Sequence, residues 1–242
     1  MLRRIETYSL RPDAAPAATG LFERALRECG RHIPEVLDGV VGWNDSDAPV
    51  HLVWEHAYAS PEAYRRYMVH PYHATVLDRY ILQDSPECVV APDVLGAGLV
   101  GYHCDEPSYR MEEGVRRIVL LRMDAGAAAA DVARVCHALR GVPAGAGSMG
   151  TSVVGANTLG PAWFDGVTPI TGPPRWTHLW EQGFASAGAC DEYRRGPAPL
   201  AAVERAGRDG WAAWSDGIVR SVAELRYELG APRPHRTQPP PA

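Results

Sequence analysis

Apolar and polar positions along the chain change period several times, and the order of the changes recurs. Arg3–Leu10, Val36–Gly42 and His51–Tyr58 have the character of strands, and the last places Trp54, His56 and Tyr58 on one face by alternation. Between the first two, Leu21, Phe22, Ala25, Leu26 and Cys29 recur at helical spacing and predict a helix over Thr19–Arg31. The polar run "NDSDAP" predicts a hairpin turn before His51. Ser60 followed by Pro61 predicts a helix start, because a serine hydroxyl caps a free backbone N–H and proline suits the first turn. A further strand is expected over Leu95–His103. The second half repeats the order: strand Arg117–Met123, helix Ala128–Leu139, strands Ser148–Val154 and Trp176–Phe184, a helical region Cys190–Val219, and strand Val222–Leu229.

The recurrence extends to residues. "WEHAYASPEAYRRYMVHPYH" from Trp54 and "WEQGFASAGACDEYRRGPAP" from Trp180 align without gaps, with Trp, Glu, Ala, Ser, Ala, Tyr and Pro in common. "LRRI" at Leu2–Ile5 is echoed by "VRRI" at Val115–Ile118, and "GWN" at Gly42–Asn44 by "GAN" at Gly155–Asn157. Each half therefore reads as a βαββαβ unit, with both helices on one face of one sheet. The expected architecture is α+β: two fused ferredoxin-like units forming an intramolecular dimeric α+β barrel. The expected boundaries are 1–104 for the first unit, 105–114 for a linker, 115–230 for the second unit and 231–242 for a proline-rich disordered tail.

Composition narrows the function classes. The 242 residues carry a formal net charge of −5 with 22% charged residues, and no basic run suggests nucleic-acid binding. No apolar stretch approaches the ~20 residues that span a bilayer, and "MLRRIETYSL" lacks the apolar core of a signal peptide. Cys29, Cys88, Cys104, Cys136 and Cys190 are scattered and odd in number, which suits reduced thiols in a cytoplasmic protein. No His/Cys/Asp/Glu grouping has metal-ligand spacing. "GAGSMG" at Gly145–Gly150 satisfies G-x-G-x-x-G but leads from a helix into a strand, the reverse of a dinucleotide site. The long run Asn157–Trp176 replaces the first half's short turn and is either a lid or a dimerisation arm.

The chemistry-bearing stretch is "YRRYMVHPYHATVLDRY", Tyr64–Tyr80. Pro71 cannot donate to a helix ladder and biases His70 toward an extended backbone, so the helix should break there and restart. From the restart, His73, Val76, Leu77 and Tyr80 share one face, which aims His73 inward. His70 falls at the break, and Tyr67 is placed to approach His73 across it. The second half keeps Tyr193 but has Gly196, Pro197 and Pro199 where the first has His70, Pro71 and His73. One active pocket in the first half and a structural second half are expected.

The pattern "Y-x-x-HPxH" after a strand, with the "GWN" segment, resembles the stress-responsive dimeric A/B barrel family. The resemblance covers both halves and is more specific in the first. That family is usually a homodimer of single units, whereas this chain is similar to a fused pair. One branch of it, the olivetolic acid cyclase-like enzymes, closes linear poly-β-ketones into aromatic rings. By that resemblance His73 is the base and Tyr67 its assistant. The branch's histidines on the first and third strands have no match here, where Arg4, Ile5 and Leu52 stand, although His51 and His56 are near. Histidine suits the task, because its ordinary pKa of ~6.5 leaves it unprotonated near neutral pH.

The leading expectation is thus a cofactor-independent polyketide cyclase or isomerase of secondary metabolism. His73, Tyr67 and His70 are the catalytic candidates; Trp54, His56, Tyr58, Tyr72 and Leu77 are candidates for lining a hydrophobic, polyketide-like substrate. The chain is expected to act as a monomer or homodimer, with no metal, cofactor, nucleic acid or membrane as partner. Two other readings stand beside it: a non-catalytic stress-responsive or ligand-binding barrel, and a monooxygenase of the antibiotic-biosynthesis type, cofactor-free or haem-dependent. No residue argues for haem or flavin.

Overall fold

The computed structural model describes residues 1–92, 99–103, 113–142, 149–158, 176–197 and 199–229. The expected tail 231–242, nearly all of the expected linker, Gly145–Ser148 of the glycine motif and all of the 157–176 run but its ends lie outside the described residues. The chain divides into two compact units, one in each half.

The first unit contains β1 (Leu2–Tyr8), α1 (Pro16–His32), β2 (Asp38–Trp43), β3 (Leu52–Tyr58), α2 (Pro61–Met68), a π-helical turn (His73–Leu77) running into α3 (Asp78–Ile81), and β4 (Leu99–His103). Its four strands are antiparallel in the order β2-β3-β1-β4, the ferredoxin-like arrangement. Phe22, Leu26 and Cys29 of α1 pack with Trp54 and Tyr58 of β3 and with Tyr64 and Tyr67 of α2 to form the core. Ser60 accepts from Ala63 N and caps α2, with Pro61 in the first turn.

The second unit repeats the plan with β5 (Val115–Met123), α4 (Ala129–Gly141), β6 (Met149–Ala156), β7 (His178–Phe184), α5 (Ala187–Arg195), α6 (Pro199–Arg205), α7 (Gly207–Trp214) and β8 (Val219–Glu228). Its sheet order, β6-β7-β5-β8, is the same. Ser186 caps α5 as Ser60 caps α2, accepting from Ala189 N. The fold is therefore α+β, two ferredoxin-like units in one chain.

Most element ends shift by one to three residues from the sequence pattern, and the last helical region differs most. The expected helical region Cys190–Val219 is three short helices, and β8 already begins at Val219. The α6–α7 break falls at Gly207, whose φ of +60° is strained for a residue with a side chain. Gly210 then lets α7 lie against α6: a Cβ there would sit 2.3 Å from the Val203 carbonyl oxygen. The expected break at Pro71 is present, since α2 stops at Met68 and the chain becomes helical again at Pro71.

Candidate functional site

Strand alternation gathers the first unit's polar groups. Leu2, Arg4, Glu6 and Tyr8 share one face of β1, and the register sets Arg4 beside His56 and Glu6 beside Trp54 on β3. Arg4 pairs with Glu6 at 2.8 Å and donates to the Tyr64 hydroxyl at 2.6 Å. Tyr8 donates its hydroxyl proton to the second Glu6 oxygen. Burial penalises the Glu6 charge, but Arg4, the adjacent His56 ring and the bond from Tyr8 outweigh it and hold the carboxyl down at about 2. Burial pushes His56 to about 4, so its ring is neutral, and Tyr58 keeps its proton well above the usual phenol range. Tyr58 therefore donates to His56 Nδ1 across 2.6 Å, and the Nε2 proton faces Glu6 Oε1 at 3.2 Å.

The expected site residues separate into three groups. His56, Tyr58 and Tyr67 form one aromatic cluster with Trp54, which stacks on His56 at 3.9 Å. His73 joins its edge: the ring is 7% exposed, meets Tyr67 at 4.6 Å, and burial pushes it down to about 4. Its Nδ1 takes no hydrogen bond and lies 3.6 Å from the Asp78 carboxylate. Leu77 is fully buried in the adjoining core. His70 and Tyr72 face elsewhere. His70 Nδ1 accepts from Tyr72 N and closes the turn at Pro71, while Tyr72 stacks on His32 at 4.3 Å and donates to the Ala25 carbonyl.

The second unit holds a cavity of about 430 Å³ on the helix side of its sheet. That is in the range of cavities that hold one small organic molecule. Arg117 on β5 stands where the repeat has Arg4, and it donates to Gln182, the counterpart of His56. The first unit's Glu6 has Val119 as its counterpart, and the carboxylates come instead from other elements. Glu224 on β8 pairs with Arg117 at 2.8 Å, and Glu204 on α6 pairs with it at 3.1 Å. Burial pushes the Glu204 carboxyl above the ordinary range despite Arg117, whereas at Glu224 the Arg117 charge outweighs burial and holds the carboxyl low. Glu204 Oε2 takes no hydrogen bond. Val119, Val222, Trp176 and Trp211 supply apolar wall.

This cavity lies in the half expected to serve structure alone. His56, Tyr58 and Tyr64 have the smaller Gln182, Phe184 and Cys190 as counterparts, which are buried and do not line the cavity. In the first unit the corresponding side chains are at most 1% exposed and fill the layer under the helices. Arg117, Glu204 and Glu224 went unnoticed in the sequence. The echo of Arg4 by Arg117 within "RRI" was the available signal; the carboxylates had none, because they lie 87 and 107 residues away.

Among the described residues no group of three His, Cys, Asp or Glu side chains could hold a metal ion, and no helix is long and apolar enough to cross a membrane. No protein-family model matches the chain, and no curated protein does. Solved structures do match over nearly the full length. A "putative monooxygenase" of Fusobacterium nucleatum is 7% identical with a TM-score of 0.56, covering 94% of this chain and 92% of its own. A "putative monooxygenase" of Lactobacillus acidophilus is 13% identical with a TM-score of 0.52, covering 93% and 92%. An anthrone oxidase-like protein is 10% identical with a TM-score of 0.57, covering 95% and 91%. At these identities the likeness is one of fold.

Proposed function

We propose that the chain is a small-molecule enzyme of the monooxygenase type, acting on an enolisable aromatic ketone held in the second unit's cavity. The observation that carries this is the pair of cavity carboxyls whose surroundings push them in opposite directions around one buried arginine. Such pairs divide acid–base labour. Glu204, with a raised carboxyl and a free oxygen, takes the proton from the activated carbon. Arg117, held charged by Glu224, stabilises the enolate oxygen. Molecular oxygen then attacks the carbanion: the CH₂ carbon becomes a carbonyl, one oxygen atom enters it, and the other leaves as water with both hydrogens. The substrate supplies all four electrons. The likeness to two putative monooxygenases and an anthrone oxidase-like protein supports this over ring closure.

Anthrone tests it. Wild-type protein should consume one O₂ per anthrone and release anthraquinone faster than buffer does, with a rate that rises with pH as Glu204 ionises. Glu204→Gln should lower kcat by about 10²–10⁴-fold, the usual worth of a general base. Oxygen uptake no faster than in buffer contradicts the reading.

A second reading keeps the chemistry in the first unit, as cyclisation or isomerisation with His73 as base and Tyr67 as assistant. It is favoured by the contact between their rings and by the unbonded, neutral His73 Nδ1. A poly-β-ketone whose products are the same with His73→Ala as with wild type removes it.

A further inference from the structure

The cavity's charge has a direction that the proton-transfer groups leave unexplained. Its lining carries four guanidinium groups, Arg117, Arg194, Arg205 and Arg208, against two carboxylates, Glu204 and Glu224. Both carboxylates are already engaged by Arg117. Arg194 reaches Glu224 only at 3.7 Å and is 44% exposed on its side chain. Arg205 is anchored by backbone carbonyls, donating to Arg194 O at 2.6 Å and Gly196 O at 3.1 Å, and has no carboxylate partner among the described residues. Arg208 is exposed and makes no ion pair among the described residues. So the mouth of this cavity is cationic in a chain whose net charge is −5.

The repeat sharpens this. Arg194 occupies the position of Met68, and α6–α7, which present Arg205 and Arg208, stand where the first unit has its π-helical turn and α3. The cavity and the cations at its mouth thus fall in the same half. The inner wall, Trp176, Val119, Val222 and Trp211, is apolar.

We propose that the ligand of this cavity is an aromatic carboxylate, its ring body against Trp211 and Trp176 and its anionic group at Arg208 and Arg205. This rests on the cavity being the substrate site and adds the substrate's charge. An anion at the mouth would meet guanidinium groups that no carboxylate of the described residues neutralises, in a concave, partly desolvated place where opposite charges attract more than in open water.

Calorimetric titration with 2-naphthoate and with 2-naphthamide, equal in shape and different in charge, is the test. The acid should bind about ten-fold or more tightly than the amide at low salt, and the gap should shrink as salt screens the mouth. Arg208→Gln, which breaks no contact seen among the described residues, should weaken 2-naphthoate by about 3–10-fold and leave 2-naphthamide within about two-fold. Equal binding of both compounds, unaffected by Arg208→Gln, overturns the anion proposal while leaving the cavity reading to the anthrone assay. Binding of neither overturns the proposal as well, whereas failure of anthrone oxidation with selective 2-naphthoate binding removes the reaction and keeps the ligand class.

Discussion

His56 and His73 are neutral because burial denies them charge, and that neutrality ties stability to pH. Both rings sit at about 4 in the folded chain, below the ordinary value of ~6.5. Between those limits the unfolded chain binds protons that the folded chain refuses. The stabilisation is complete above pH ~6.5 and is lost as pH falls toward 4, on the order of 3 kcal/mol for each ring at most. Glu6 behaves as a carboxylate with a lowered pKa: its contribution is present above pH ~4.5 and fades only below that. The urea midpoint, followed by tryptophan fluorescence, should therefore fall between pH 7 and pH 4.5, and His73→Gln should flatten the fall by about half, since one of two comparable rings is removed. A midpoint independent of pH over that range would show both rings to be free to protonate. The same packing that keeps His73 neutral makes it a weak base, whereas burial raises the carboxyl of Glu204, the proton acceptor we propose.

At the scale of elements, the chemistry proposed for the second unit depends on how α6 and α7 meet. Glu204 is on α6, and its position is fixed by the close approach of α7, which only a glycine at 210 permits. Gly210→Ala puts a methyl group 2.3 Å from the Val203 oxygen and 2.6 Å from the Ala206 Cβ. It should destabilise the fold by about 1–3 kcal/mol, the range for overpacking, read as a lower thermal midpoint together with a lower kcat on anthrone. Gly141→Ala, at the end of α4 with nothing within 4 Å, is the control and should be neutral or slightly stabilising. Loss of stability at 141 but not at 210 would contradict this packing. Elements of this kind were partly legible in the sequence. Pro71, Ser60 and the 3.6-residue spacing of Phe22, Leu26 and Cys29 act through their immediate neighbours, and the structure follows them. The break between α6 and α7 is not periodic in the sequence, and the last helical region ends before Val219, in a turn where Asp216 and Gly217 take positive φ.

For the whole molecule, two units of one plan account both for what the sequence disclosed and for what it concealed. Two copies of one βαββαβ plan leave matching landmarks at Trp54 and Trp180, Ser60 and Ser186, Tyr67 and Tyr193, so the fold was readable. The candidate site was not readable in the same way. Side chains attract notice by their presence, as "HPxH" does in the first unit; the cavity of the second is lined by residues scattered over β5, α5–α7 and β8. The groups that then define it, Arg117, Glu204 and Glu224, meet only after β5, α6 and β8 are assembled. The most direct test of the claim that ligand binds in the second copy is hydrogen exchange of the intact protein with and without saturating 2-naphthoate. Slowed exchange should appear in α5–α7 and in β8 around Val222–Glu224, with Tyr64–Tyr80 unchanged. Protection confined to Tyr64–Tyr80, with α5–α7 exchanging as before, would contradict it.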